Sequence, residues 1–218
     1  MRNGIYSQWL EERIKTIPAG EPFESAEIAQ LLEKKFRLTA SNAKTVTNNK
    51  LKRMADEQLI RRISKGLYYP VKETVFGTVT PDYDRYAVQI LTHDADGVIG
   101  YESGASFLNR IGLSTLIAKD IEIVSNSYRK KLPTNCHVVA KKPIVKVTDE
   151  NYRYLQILDT VSDMRRFHID SPNPKAVVIK TIQSRHLDPI KLLGYARRYY
   201  PQTVVLDTVD IVTGGDRV

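Results

Sequence analysis

The stretch from Thr39 to Tyr69, TASNAKTVTNNKLKRMADEQLIRRISKGLYY, restricts what this chain can fold into more than any other. Ala43, Thr47, Leu51, Met54 and Ala55 recur at steps of three and four, the period of a helix with one buried face, and Val46 widens that face. Thr39 or Ser41 can cap its start, because a side-chain oxygen there accepts an orphan backbone N–H. The opposite face carries Asn42, Lys44, Thr45, Asn48, Asn49 and Lys52, with no carboxylate among them. Leu59 to Ser64 and Leu67 to Val71 then read as two short strands. Lys65-Gly66 joins them as a two-residue turn, in which glycine supplies the positive φ that a tight hairpin needs.

These residue types suit a DNA groove. Lys and Arg bond phosphates or guanine, Asn makes a two-pronged contact with adenine, and Thr serves either role. The stretch therefore reads as a recognition helix followed by a wing. Asn42, Thr45, Asn48 and Asn49 are the expected base readers. Lys44, Lys52, Arg53, Arg61, Arg62 and Lys65 are the expected phosphate contacts, joined by Ser41 at the helix start and by Lys50, turned partly inward. Two bland readings stand beside this one: a basic helix and hairpin in any α+β domain, and a winged helix that contacts only protein. The latter predicts no salt-sensitive affinity for duplex DNA.

Charge favours the polyanion. From Arg37 to Lys72 there are nine Lys or Arg against two acids, so this segment holds +7 of the chain's formal net charge of +8. Charge concentrated on one structural unit is an electrostatic footprint rather than general solubility. A hydrophobic share of 42% is ordinary for a globular protein. No apolar run approaches membrane-spanning length and the first residues lack a signal-peptide core, which together predict a cytoplasmic protein with no membrane partner. One cysteine, Cys136, excludes an internal disulfide and any site built from several thiolates. Its apolar surroundings, CHVVA, predict a small core residue.

The fold class expected is α+β, with an N-terminal winged helix-turn-helix over residues 1–73 and a mixed α+β effector domain over 74–218. Tyr6, Leu10, Ile14 and Ile17 share a face of a first helix, with Trp9 beside them. Ser25 is a candidate N-cap for a second, with Ile28, Leu31, Leu32 and Phe36 inward. Further on, helices are expected at Asp82–Thr92, Glu102–Ile111, 175–183 and Pro189–Tyr199. Strands are expected at Ile121–Val124, His137–Ala140, Ile144–Val147 and Tyr154–Leu158, with a helix from Asp159 or Thr160 to Phe167. The tail from Pro201 to Val212 fits strand by propensity and helix by spacing.

No catalytic, metal or cofactor site is expected. The four histidines lack metal spacing. The acid pairs Asp82/Asp84 and Asp94/Asp96 flank a helix, where carboxylates cap ends. Asp159/Asp163 is a same-face pair for which nothing nearby in sequence supplies a shifted pKa. The glycines of GVIGYESG, residues 97–104, match no phosphate loop and no nucleophile elbow. Arg129-Lys130-Lys131 and Lys141-Lys142 read as solvated loops. An enzymatic alternative keeps Asp159 and nearby lysines as part of a nuclease-like or nucleotide-processing unit targeted to DNA by the wing domain.

The wing ending GLYYP, Gly66 to Pro70, and the later GYESGASFLNRIGL, Gly100 to Leu113, resemble AbiEi-type antitoxins of type IV toxin–antitoxin systems. In that family a winged helix-turn-helix ends in a glycine-aromatic-proline wing. A helix with a small-residue and leucine pattern ending in Gly-Leu follows. The resemblance covers the first half of the chain well and the second half loosely. It implies a transcriptional repressor binding inverted repeats of double-stranded DNA in its own promoter. It also implies a nucleotidyltransferase-like toxin as functional partner, countered by the C-terminal domain without a stable complex. By position the family's recognition helix falls on Ser41–Asp56 and its wing on Ile60–Tyr69. A stand-alone winged-helix regulator is the weaker form of the same reading.

Overall fold

The computed structural model describes residues 2–75 and 77–214. The chain divides into two compact units, Met1–Tyr86 and Ala87–Val218. It is mixed α+β throughout, with small sheets and many helices.

The first unit opens with α1 (Arg2–Lys15), β1 (Phe23–Glu24), α2 (Ser25–Phe36) and α3 (Ala40–Asp56). β2 (Ile60–Ser64) and β3 (Leu67–Pro70) follow as an antiparallel hairpin, and β1 pairs with β3, giving a sheet of order β1-β3-β2. Leu10, Ile14, Phe23, Ile28, Leu32, Ala43, Leu51, Met54 and Ile60 form the core, flanked by Tyr6, Trp9, Ile17, Phe36 and Val46. Phe36 meets the rings of Tyr6 and Trp9 edge-on. Leu31, expected inward, is exposed. Ser25 is the first residue of α2, not its cap. Glu24 takes the cap position without a side-chain bond, and the Ser25 N–H donates to Gly66 O in the hairpin turn.

Arg37 ends α2 in the left-handed region, at φ 52, and α3 begins three residues later. Thr39 is the N-cap of α3, its hydroxyl accepting from the Asn42 N–H at 3.3 Å. The hairpin turns at Gly66, φ 83, with a bulge between Arg62 and Ser64. The unit continues past residue 73, where a boundary was expected. A second small hairpin, β4 (Glu73–Thr74) and β5 (Gly77–Thr78), leads to α4 (Tyr83–Thr92). This segment is tied back by Asp82 N–H to Gly20 O, and by the Tyr86 hydroxyl to the Glu24 carboxylate at 2.9 Å. Gly20, φ 79, permits the approach: a Cβ there would lie 2.6 Å from Thr80 O.

In the second unit β6 (His93–Asp94) and β7 (Gly97–Val98) make a short hairpin. β8 (Gly100–Ser103), α5 (Gly104–Arg110), β9 (Ile121–Ser125) and β10 (Val138–Lys141) follow. β9 is central in this sheet, antiparallel to β8 and parallel to β10. Four helices complete the unit: α6 (Tyr152–Asp163), α7 (Pro174–Ser184), α8 (Pro189–Tyr199) and α9 (Gln202–Thr213). Asn173 and Asp188 cap α7 and α8, each with proline at the first helical position.

Several sequence expectations fail here for identifiable reasons. Tyr154–Leu158 lies inside α6, as do Asp159 and Thr160, so neither caps a helix. Leu155, Gln156, Ile157, Leu158, Thr160, Val161 and Asp163 are all buried, so α6 lacks the polar stripe that reveals helical period. Ile144–Val147 is no strand: Val147 exchanges both backbone bonds with the Asn126 side-chain amide, and Ile144 is exposed. Glu102 and Ser103 end β8, and α5 begins only at Gly104. Lys141 belongs to β10 and pairs with Glu122 rather than lying in a solvated loop. Cys136 is half-exposed, its thiol donating to Pro133 O. The tail is a helix, α9, burying Val204, Thr208 and Ile211. No helix among the described residues is long and apolar enough to cross a membrane.

Thr47 is fully buried in the first unit, and its hydroxyl has no hydrogen-bond partner among the described residues. An unpaired buried hydroxyl costs stability that an apolar group of the same shape does not. Thr47→Val is therefore expected to stabilise the first unit by about 1–2 kcal/mol. Urea unfolding followed by the fluorescence of Trp9, the chain's one tryptophan, measures it. An unchanged or lower midpoint sinks the prediction.

Candidate nucleic-acid interface

The burial of one side of α3 decides what its other side presents. Ala43, Thr47, Leu51 and Met54 are buried, and at about 100° per residue they share one face. Ser41, Asn42, Lys44, Thr45, Asn48, Asn49, Lys52 and Arg53 are all exposed. Within that set Ser41, Thr45, Asn48, Asn49 and Lys52 fall in an arc of about 100°. Lys44 lies at one edge of the arc, and Asn42 and Arg53 at the other. Arg53 borders a shallow groove along α1, lined also by Glu11 and Glu12. The Thr45 hydroxyl donates to Ser41 O at 3.0 Å, so what it presents outward is a methyl group and acceptor lone pairs.

Lys50 departs from the expected set. Its side chain is 11% exposed, and its ammonium lies 2.6 Å from the Glu11 carboxylate. Bonds from Lys15 and Lys50 hold Glu11 down at about 2, so the carboxylate stays charged. Lys50 thus ties α3 to α1 and is withdrawn from the outer face.

On the hairpin Arg61, Arg62 and Lys65 are exposed. Arg61 pairs in register with Tyr69 and Arg62 with Tyr68. Successive strand residues point to opposite faces, so the two arginines lie one on each side of the hairpin. The Arg62 Nε–H also donates to Ser64 O at 3.1 Å, across the bulge.

The second unit contains a polar site of another kind. Ser103, Lys141, Asp159, Ser162, Asp163 and Arg166 line a cavity of about 180 Å³. Asp159 accepts from the Tyr101 hydroxyl at 2.8 Å and from the Tyr200 hydroxyl at 2.7 Å, so both its oxygens are occupied. Asp163 accepts from Gly104 N–H at 3.1 Å and pairs with Arg166 at 3.0 Å. Burial raises both carboxyls, Asp159 to about 6, a shift for which the neighbouring sequence gives no reason. Apart from Arg166, their partners Tyr101, Gly104 and Tyr200 lie far away in sequence, and the local sign is two acids one helical turn apart in an apolar run. The acids act as cross-links among β8, α6 and the end of α8. Among the described residues no three His, Cys, Asp or Glu side chains gather closely enough to hold a metal ion.

The profile of a family described as "Family of unknown function (DUF6088)" matches residues 23–146, more than half of the chain. No curated protein matches it.

Asp159 carries a pH signature. Its carboxyl titrates at about 6 when folded and near 3.8 otherwise. Between these values the folded protein holds a proton that the unfolded chain has released, so this group's contribution to stability falls as pH rises from about 4 to about 6. The loss is on the order of 3 kcal/mol. Asp159→Asn is expected to flatten the stability profile over that window, measured by urea unfolding at several pH values. Parallel profiles for the two proteins contradict it.

Proposed function

The chain belongs to the family DUF6088, of unknown function, and we propose that it is a duplex-DNA-binding transcriptional repressor whose first unit acts as a winged helix-turn-helix. In this reading α2 and α3 are the helix pair, α3 enters the major groove, and the β2–β3 hairpin is the wing. The observation that carries it is the exposed face of α3, which combines three asparagines, two hydroxyl side chains and cations, with Asp56 in its last turn as the one carboxylate. Asn48 and Asn49, at the two sides of the arc, and Asn42 just beyond Asn49 have the amides that read adenine. Lys44 and Arg53 at the edges and Lys52 between Asn48 and Asn49 are the phosphate contacts, with Arg61, Arg62 and Lys65 on the hairpin. Because Arg61 and Arg62 point to opposite sides, they would grip different phosphates, not one.

The resemblance to AbiEi-type antitoxins extends the proposal to repression of the protein's own operon and to a second unit that counters a nucleotidyltransferase-like toxin. That extension rests on GLYYP and GYESGASFLNRIGL. The first is the hairpin turn with β3, and the second is β8, α5 and the turn that closes it at Gly112.

The test compares binding to the duplex upstream of the reading frame with binding to random duplex, over a range of salt. Asn48→Ala should lose about 1–3 kcal/mol of preference for the specific site and leave random-duplex affinity nearly unchanged. Lys52→Ala and Arg61→Ala should weaken both and lower the log–log salt slope by about 0.9 each. Lys50→Met should leave the slope where it is, because that charge already faces Glu11. If the wild-type chain binds duplex without salt dependence, or Asn48→Ala and Lys52→Ala behave as wild type, the interface is misplaced.

A further inference from the structure

We propose that a groove between α6 and α8 in the second unit binds single-stranded nucleic acid. Its bases would lie against Tyr154 and Tyr195, and its phosphates against Lys191 and Arg198. This site is separate from the face of α3 and does not depend on duplex binding there.

The groove is lined by Glu150, Tyr154, Lys191, Gly194, Tyr195 and Arg198, and its volume is about 750 Å³. That lies within the range of sites that bury a ligand of one or two nucleotides' size. α8 creates it by its own amphipathic pattern. Leu192 and Ala196 are buried, while Lys191, Gly194, Tyr195, Arg198 and Tyr199 lie within an arc of about 140° on the other side. α8 contains no acid. The carboxylate of its cap, Asp188, is taken up by the backbone N–H groups of Ile190 and Lys191. Among the described residues Lys191, Arg197 and Arg198 are in no ion pair. Glu150, before the start of α6, is the acid of the lining and marks one end of the cationic track.

The aromatic row gives the groove its chemistry. Tyr154 and Tyr195 have centroids 5.4 Å apart with planes at 32°, and Tyr195 and Tyr199 are 6.2 Å apart at 24°. Arg198 sits over the Tyr199 ring. The Tyr154 hydroxyl accepts from Asp188 N–H, which fixes the first ring. Half-buried tyrosines in a row, beside cations that are in no ion pair, match the pattern by which proteins hold unpaired bases through stacking and their backbone through charge. A duplex keeps its base faces stacked internally and offers them to no ring. An acidic peptide would satisfy Lys191 and Arg198 but gain nothing from the rings.

Gly194 supports the assignment independently. Glycine inside a helix costs about 1 kcal/mol relative to alanine. A Cβ at Gly194 would meet nothing within 4 Å, so packing among the described residues gives no reason for its absence. A bare backbone there leaves the groove floor open to a flat ligand.

The experiment measures fluorescence anisotropy of labelled ten-nucleotide oligouridylate and oligodeoxythymidylate with the full chain. Gly194→Leu fills the floor from the solvent side without touching the core. It should weaken single-strand binding roughly tenfold, the scale of one lost stacking contact. Tyr195→Ala should do the same, and Lys191→Ala should also lower the salt slope by about 0.7. Gly194→Ala should fold at least as stably as wild type and weaken single-strand binding less than Gly194→Leu does, and Lys52→Ala should leave single-strand affinity unchanged. The proposal is overturned if the full chain binds neither oligonucleotide, or if Gly194→Leu and Tyr195→Ala bind as wild type. Loss in Lys52→Ala with retention in Gly194→Leu also overturns it, by assigning the affinity to the first unit. So does displacement of the oligonucleotide by a glutamate decapeptide as readily as by unlabelled oligouridylate, since charge alone would then suffice.

Discussion

The seam that holds α3 against α1 and α2 governs the first unit. Ala43, Leu51 and Met54 on α3 close over Leu10, Ile14, Ile28 and Leu32, and burying each large aliphatic side chain contributes about 1.5–3 kcal/mol. Those contacts fix the rotation of α3 about its axis. Once Leu51 points inward, Asn48, Asn49 and Lys52 have nowhere to go but out. The Lys50–Glu11 pair reinforces the same setting from the edge of the seam. β1 then joins the hairpin to the start of α2, through Phe23 opposite Tyr68 and the Ser25 bond to Gly66 O. The outer face of α3 and the hairpin are therefore held by one core and one small sheet.

The second unit depends on α6 in a different way. It is packed on most of its sides: Leu155 joins Tyr101 and Val124 on the sheet and Val147 beside it, while Ile157, Leu158 and Val161 join the cluster shared with α7, α8 and α9. A helix in that position must accommodate any polar residue it carries. Gln156 does so by donating to Glu102 O and accepting from Arg185, and Asp159 by binding two tyrosine hydroxyls. The raised Asp159 carboxyl is the electrostatic cost of its burial, which the two hydroxyls offset only in part. Tyr154, at the rim of the same helix, remains half-buried and starts the row of rings that continues along α8. A cross-linked interior and a cationic, aromatic exterior thus arise from neighbouring turns of one element.

The two units differ in how openly the chain declares them. α3 announces itself because its inward residues are apolar and its outward ones polar, so the three-and-four spacing survives in the letters. The hairpin is equally plain, since Lys65-Gly66 interrupts two short runs of strand-forming residues, one with Ile60 and Ile63 and one with Tyr68 and Tyr69. α7 and α8 are marked by Asn173-Pro174 and Asp188-Pro189, which specify a cap and a first turn locally. α6 is concealed because a helix buried nearly all round has no polar stripe. Ile144–Val147 misleads because its strand-like composition is answered by the Asn126 amide instead of a neighbouring strand.

What the sequence determined by itself is short-range: helix period, cap chemistry, the turn at Gly66 and the concentration of positive charge between Arg37 and Lys72. Each depends on residues within a few positions of one another, so the order of letters is enough. What only the tertiary structure decided is which distant groups meet. Lys50 leaves the outer face because Glu11 lies across the seam. Asp159 holds its proton to about pH 6 because folding buries it, and the Tyr101 and Tyr200 hydroxyls that reach it from distant parts of the chain only partly offset that burial. Tyr154 comes alongside Tyr195 only when α6 and α8 pack. Desolvation and pairing act through space, over separations that no local pattern encodes.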